Sequence, residues 1–254
     1  MQLFYRESGE GLPIVVLHGV FGSSDNWVSI AKSLSSSLKV YLVDQRNHGQ
    51  SFHSDDFNYD LLSDDLHKLV VSLKLEKFIL LGHSMGGKVA MKFASMFPEK
   101  LLKLIVVDIA PKFYKRHHDD ILNGLNSLEL DKLESRQQAD QALSKYIPEI
   151  GVRQFLLKNL YRKESNEFDW RINLKVLTDK IDNIGEQLDE KVSINVPTLF
   201  IRGGKSRYIK DEDEKLISKL FTNYKIIAIP NAGHWVQAEK PQEFLEVVNS
   251  FIQR

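Results

Sequence analysis

Residues 77–97 read KFILLGHSMGGKVAMKFASMF, and the fold follows from them. The run Phe78-Ile79-Leu80-Leu81 has the length of a buried parallel strand and is too short for a core helix. Val89, Ala90, Phe93, Ala94 and Phe97 then share one helical face, with Lys88 and Lys92 on the other and Pro98 just beyond. Between strand and helix lies Gly82-His83-Ser84-Met85-Gly86-Gly87, which fits the G-x-S-x-G pattern of a nucleophile elbow. A serine at so sharp a turn sits in strained backbone, and a Cβ on either side would meet the neighbouring strand or helix. The turn lifts the Ser84 hydroxyl above the sheet edge and aims the Met85 N–H at the place where an oxyanion would form. The pattern alone also fits a glycine-rich turn that happens to contain a serine; the strand before it and the helix after it favour chemistry.

Composition narrows the function classes. A chain of 254 residues with 43% apolar content can bury one large core, so bulk disorder is excluded. Lys+Arg and Asp+Glu balance at 34 each, which argues against gripping nucleic acid or an anionic membrane. The absence of cysteine removes disulfides, thiolate catalysis and cysteine-based metal centres. No basic-then-apolar leader precedes Leu3-Phe4-Tyr5, and no apolar run approaches the ~18 residues of a membrane span. The expectation is a cytoplasmic protein without membrane insertion, a monomer or homodimer.

Outward from the elbow, the first hundred residues alternate strand and helix. Residues 3–8 read as an edge strand, and Ile14-Val15-Val16-Leu17 as a buried one that runs into His18-Gly19-Val20-Phe21-Gly22-Ser23. That glycine-bracketed loop can supply a second oxyanion N–H, from Phe21 or Val20; a plain βα loop would look the same. Trp27, Ile30, Ala31 and Leu34 keep helical spacing, and Val40-Tyr41-Leu42-Val43 is the next strand. Asp44, Arg46 and His48 behind it invite a metal or catalytic reading, but an internal Asp–Arg pair in a polar loop is commonly structural. Leu62, Leu66, Leu69, Val70 and Leu73 mark an amphipathic helix before the elbow. Leu104-Ile105-Val106-Val107 is a further strand, and it leaves Asp108 at its C-terminal end, where open α/β sheets bind their ligands.

After Pro111 the alternation stops. Residues 112–190 are polar and helically spaced: Ile121, Leu125 and Leu128, then Ala139, Ala142, Leu143 and Tyr146, then Val152, Phe155, Leu156 and Leu160. An insertion between sheet strands folds over the sheet edge, so these residues are expected to form a helical cap with no sheet of its own. His117-His118 beside Asp119-Asp120 is ligand-rich, yet helical neighbours point about 100° apart and cannot share one metal. Regular order returns at Val196-Pro197-Thr198-Leu199-Phe200-Ile201, followed by a helix with an acidic first turn at 211–214. Ile226-Ile227-Ala228-Ile229 is the last strand. Its exit, Pro230-Asn231-Ala232-Gly233-His234-Trp235, places a histidine at the edge where Ser84 stands. Pro241 starts a terminal helix.

As a set, HGVFGS, VDQRNHGQS, GHSMGG and NAGHW resemble the α/β-hydrolases over nearly the whole length. The D-x-R-N-H-G-x-S loop, VVDIAP and Asp169-Trp170-Arg171-Ile172-Asn173 are similar to small bacterial esterases of the YbfF type. The resemblance implies a mostly parallel central sheet with helices on both faces and a helical cap inserted after the sixth core strand. Residues 1–111 and 191–254 then form the core and 112–190 the cap. It also implies a serine carboxylesterase or thioesterase acting on small acyl esters, with Ser84 as nucleophile, His234 as base and no metal or organic cofactor. Many relatives carry the acid in a G-x-x-D pattern after the cap; here that pattern ends in Ser206, which cannot hold an imidazolium by charge. Asp108 is the position the YbfF resemblance implies for the acid, with Ser206 hydrogen-bonding beside it and Asp211 in reserve. The N–H groups of Met85 and Phe21 (or Val20) would form the oxyanion hole, and Val20, His83 and Trp235 would line the pocket. A receptor-like hydrolase with slow turnover, a lactonase and a C–C bond hydrolase are alternatives on the same motif set.

Overall fold

The computed structural model describes residues 2–253. Strands β1 (Tyr5–Ser8), β2 (Leu12–Leu17), β3 (Leu38–Val43), β4 (Phe78–His83) and β5 (Leu101–Val107) come before the insertion. Within it β6 (Leu160–Arg162) pairs with β7 (Phe168–Trp170), and β8 (Thr198–Gly203) and β9 (Tyr224–Ile229) complete the main sheet. That sheet has the order β1-β3-β2-β4-β5-β8-β9; β1 runs antiparallel to β3 and all other neighbours are parallel. Five strands, not six, therefore precede the insertion.

Period-two alternation sends neighbours to opposite faces. Ile79 and Leu81 join Ile14, Val16, Ile105 and Val107 against α1 (Val28–Leu34) on one face. Phe78 and Leu80 join Val15, Leu17, Leu104 and Val106 against α2 (Tyr59–Ser72) and α3 (Met85–Met96) on the other. Both faces are dry, which is why the strands read as continuous apolar runs. Each such side chain contributes roughly 1.5–3 kcal/mol on burial.

Lys88 departs from the expected outward face of α3. It is buried, and its Nζ donates to the carbonyls of Lys112 (2.5 Å) and Glu186 (2.6 Å), at the two ends of the insertion. Periodicity within α3 carries no information about the chain that covers it from the insertion.

The insertion holds α4 (Asp119–Asn126), α5 (Arg136–Leu143), α6 (Ile150–Leu157), the β6–β7 hairpin and α7 (Leu174–Lys180). The hairpin corrects the expectation of a cap without a sheet: Leu160, spaced as if to continue α6, instead starts β6. The insertion enters and leaves through one stem, closed by Leu188 N–H to Pro111 O (2.9 Å) and Tyr114 N–H to Gly185 O (2.8 Å). Leu122, Leu143, Leu156 and Leu177 extend the core of the α2–α3 face and do not form a core of their own. After β8 come α8 (Glu214–Leu220), and after β9 α9 (Val236–Glu239) and α10 (Pro241–Gln253), whose Phe244 and Val248 close the opposite face. Asp213, in the acidic turn at 211–214, is buried and paired with Lys112 Nζ at 2.6 Å. Among the described residues no helix is long and apolar enough to cross a membrane.

Candidate active site

Ser84 sits between β4 and α3 with φ +53° and ψ −119°, a region that costs a non-glycine residue roughly 1–3 kcal/mol. The flanking glycines hold it there. A Cβ on Gly86 would lie 2.5 Å from His18 O and 2.6 Å from Leu17 O, and one on Gly82 would collide with the Gly86 carbonyl. Ser84 N–H donates to Val107 O (3.0 Å), which ties the elbow to the end of β5. Met85 is the first residue of α3 and its N–H has no acceptor among the described residues.

The next residue after β5 is Asp108, fully buried and also left-handed at φ +50°. Its Oδ1 accepts the Gly203 N–H (2.9 Å); its Oδ2 accepts both the Ser206 hydroxyl and His234 Nδ1–H, the latter at 2.8 Å. A carboxylate can only accept, so the His234 proton sits on Nδ1 and Nε2 keeps its lone pair. Ser206 also accepts the Tyr208 N–H (3.2 Å). It thus supports Asp108 and makes no bond to His234. Asp211, the reserve acid, is exposed and paired with Arg202 (2.6 Å). The loop carrying His234 is fixed by Glu239, which accepts the Gly233 and Trp235 N–H groups (2.7 and 3.3 Å), and by His83 Nε2–H, which donates to His234 O (2.9 Å). No hydrogen bond joins Ser84 Oγ to His234 in this conformation; such bonds commonly tighten only around substrate.

The loop after β2 corrects one expected donor. A turn closed by Gly22 N–H to Gly19 O (3.0 Å) contains Val20 and Phe21, and Phe21 adopts φ +58°. The Phe21 N–H is engaged: it donates to His48 Nε2 at 3.3 Å. The Val20 N–H has no acceptor among the described residues, and Gly19 beside it packs against Ser84, where a Cβ would stand 3.1 Å from the Ser84 Cβ. Val20 replaces Phe21 as the second candidate donor.

Residues 13–241 match the family model described as alpha/beta hydrolase fold. The chain belongs to the α/β-hydrolase family. It is 35% identical over 242 residues to esterase YbfF of Escherichia coli, covering 94% of this chain and 92% of the relative. It is 40% identical over 247 residues to the sn-1-specific diacylglycerol lipase ABHD11 of Mus musculus, covering 94% and 80%. Among solved structures, a marine microorganism esterase superposes with a TM-score of 0.96 at 41% identity, covering 98% of this chain and 99% of the other.

Beside Ser84 this α/β-hydrolase has a cleft of about 520 Å³, within the range that holds a small ligand. Val20, His83, His234 and Trp235 line it from the core, and Ile121, Val152 and Phe155 from the insertion. His117 and His118 line it too, so the pair set aside as a metal site stands over Ser84 instead. His118 is neutral: burial, then the proximity of His117 and His234, pulls its imidazole down to about 3. Among the described residues no cluster of three or more His, Asp or Glu side chains is arranged to hold a metal. Tyr208, which the sequence did not single out, stacks on the His234 ring at 3.9 Å and 17°, and its hydroxyl meets His117 Nε2 at 2.6 Å. Its only sequence signal was its place two residues past Ser206. Asp44 and Arg46 are occupied structurally: Asp44 accepts the Ser24 and Gln50 N–H groups (2.6 and 2.8 Å), and Arg46 pairs with buried Asp65 (2.5 Å).

Proposed function

We propose that the protein is a serine carboxylesterase that cleaves small acyl esters or thioesters. The observation that carries this reading is the 2.8 Å bond from His234 Nδ1 to buried Asp108, at the edge of the cleft that Ser84 enters from a strained turn. Similarity to proteins named esterase and lipase supports the ester class. Ser84 Oγ attacks the acyl carbonyl while His234 Nε2 takes its proton. Asp108 stabilises the imidazolium, and the N–H groups of Met85 and Val20 receive the oxyanion, each worth roughly 3 kcal/mol on the scale of a measured donor. Collapse breaks the ester bond, and His234 returns the proton to the leaving alcohol or thiol. Water then attacks the acyl-Ser84 ester with His234 again as base, which releases the acid and restores Ser84. On this reading residues 112–190 are the cap that shapes the acyl site, and 1–111 with 191–254 are the catalytic core.

A phosphonate ester probe tests the nucleophile. It is expected to label Ser84 alone, as read by peptide mass spectrometry, and Ser84→Ala is expected to abolish hydrolysis of p-nitrophenyl butyrate. Labelling of another serine, or undiminished turnover by Ser84→Ala, would refute the assignment.

A further inference from the structure

Phe21 is held by both of its backbone polar groups, each time by a side chain from elsewhere in the chain. Its N–H donates to His48 Nε2 (3.3 Å), on the loop after β3. Its C=O accepts from Asn159 Nδ2 (2.7 Å), between α6 and β6 of the insertion. Both partners are themselves fixed. His48 Nδ1 faces the Arg46 carbonyl at 2.9 Å, and a carbonyl only accepts, so the proton is on Nδ1 and Nε2 offers its lone pair to Phe21. Asn159 is buried, gives its side-chain amide also to Leu156 O (3.1 Å), and its backbone carbonyl accepts the Arg171 N–H (2.8 Å). The loop that carries His48 also meets the insertion directly: Asn173 N–H donates to Asn47 O (2.9 Å) and its Nδ2 to Asn47 Oδ1 (3.1 Å).

A phenylalanine does not choose a left-handed φ unaided. Were Phe21 to relax, the turn from Gly19 to Gly22 would reorient, and the Val20 N–H with it. We propose that His48 and Asn159 are positioning residues that fix the Val20 N–H as an oxyanion donor, so that the insertion helps build the oxyanion hole from outside the sheet. The inference rests on the serine esterase reading. Burial keeps His48 neutral, its imidazole pulled down to about 3, so the lone pair facing Phe21 persists across the pH range of ester hydrolysis. Neither side chain touches the reacting atoms in this scheme; each acts through Phe21.

The test separates positioning from plain structural support. A trifluoromethyl ketone adds to an activated serine and leaves an oxyanion, whereas the matching secondary alcohol fills the cleft without one. Asn159→Ala is expected to lower kcat on p-nitrophenyl butyrate at least tenfold with KM within about twofold. It should weaken the ketone by the same factor as kcat/KM and leave the alcohol unchanged. His48→Gln, which retains an acceptor, should stay closer to wild type than His48→Leu in both readouts; should Asn159→Ala fail to fold, as judged by its melting transition, this pair carries the comparison. Ketone and alcohol weakened equally, or a ketone affinity that does not move, would overturn the proposal while leaving the esterase reading in place. A wild-type protein inert to both ester and ketone would remove the reading and the proposal together.

Discussion

Asp108→Asn probes the site most sharply, because all three bonds of the carboxylate can be followed. One amide orientation keeps an acceptor toward Gly203 N–H and turns its NH₂ toward Ser206 and His234. His234 Nδ1 must then accept, the proton moves to Nε2, and the ring cannot take the Ser84 proton. The other orientation preserves the tautomer but sets the NH₂ against the buried Gly203 N–H, a donor–donor conflict of about 1–3 kcal/mol. That gap favours the inactive tautomer about 5- to 150-fold. Losing the charge weakens the His234 bond by about a further 1–1.5 kcal/mol, or five- to tenfold. Together kcat should fall roughly 25- to 1,500-fold; the matching change in a serine protease, used here only as a scale, costs about 10⁴. The assay is kcat on p-nitrophenyl butyrate beside the melting temperature, with imidazole ¹⁵N shifts to read the tautomer. Ser206→Ala, which removes one neutral donor, should cost about five- to tenfold, and Asp211→Asn nothing measurable. A folded Asp108→Asn within tenfold of wild type would refute the reasoning, as would a crippled Asp211→Asn.

Two further outcomes concern the frame. Burial pulls the Lys88 amine from 10.5 to about 7, so between those values the unfolded chain binds one more proton than the folded one and stability rises with pH. Denaturant unfolding at pH 7 and 9 should therefore show the stability of wild type relative to Lys88→Met rising by up to about 1.4 kcal/mol per pH unit; a relative stability that falls or stays level would contradict the burial of an amine there. Asp65→Ala leaves the Arg46 guanidinium buried without its partner and should cost about 3–5 kcal/mol of stability. Its kcat/KM measured well below the melting temperature should stay near the parent's, whereas a selective loss of kcat would return this loop to the catalytic reading.

What the sequence disclosed is what local pattern encodes. The strand runs, the elbow around Ser84, and the strand-end positions of Asp108 and His234 all follow from apolar periodicity interrupted by glycine. The departure at Ser206 was equally readable, since a missing carboxylate is a statement about one residue. What stayed hidden depends on partners distant in the chain. Lys88 looks solvated until the insertion's two ends close over it, and Phe21 looks like a free donor until His48, 27 residues on, takes its N–H. The His117–His118 pair could be tested only against a shared metal, whereas the fold uses it as roof. Leu160 fits a helical face by spacing alone, and only its pairing with Trp170 makes it a strand.

The stem of the insertion has a consequence for exchange between relatives. Because Pro111 meets Leu188 and Tyr114 meets Gly185, the chain between them leaves and rejoins the sheet at nearly one point. Its length can therefore change without displacing β5 or β8, since a longer closed loop adds only about 0.6 kcal/mol per doubling. Such a segment is portable in architecture but not in chemistry. A graft from a cousin would fit the stem whatever it carried, yet it would arrive without authority over the Gly19–Gly22 turn unless it brought an amide to the Phe21 carbonyl, as Asn159 does here.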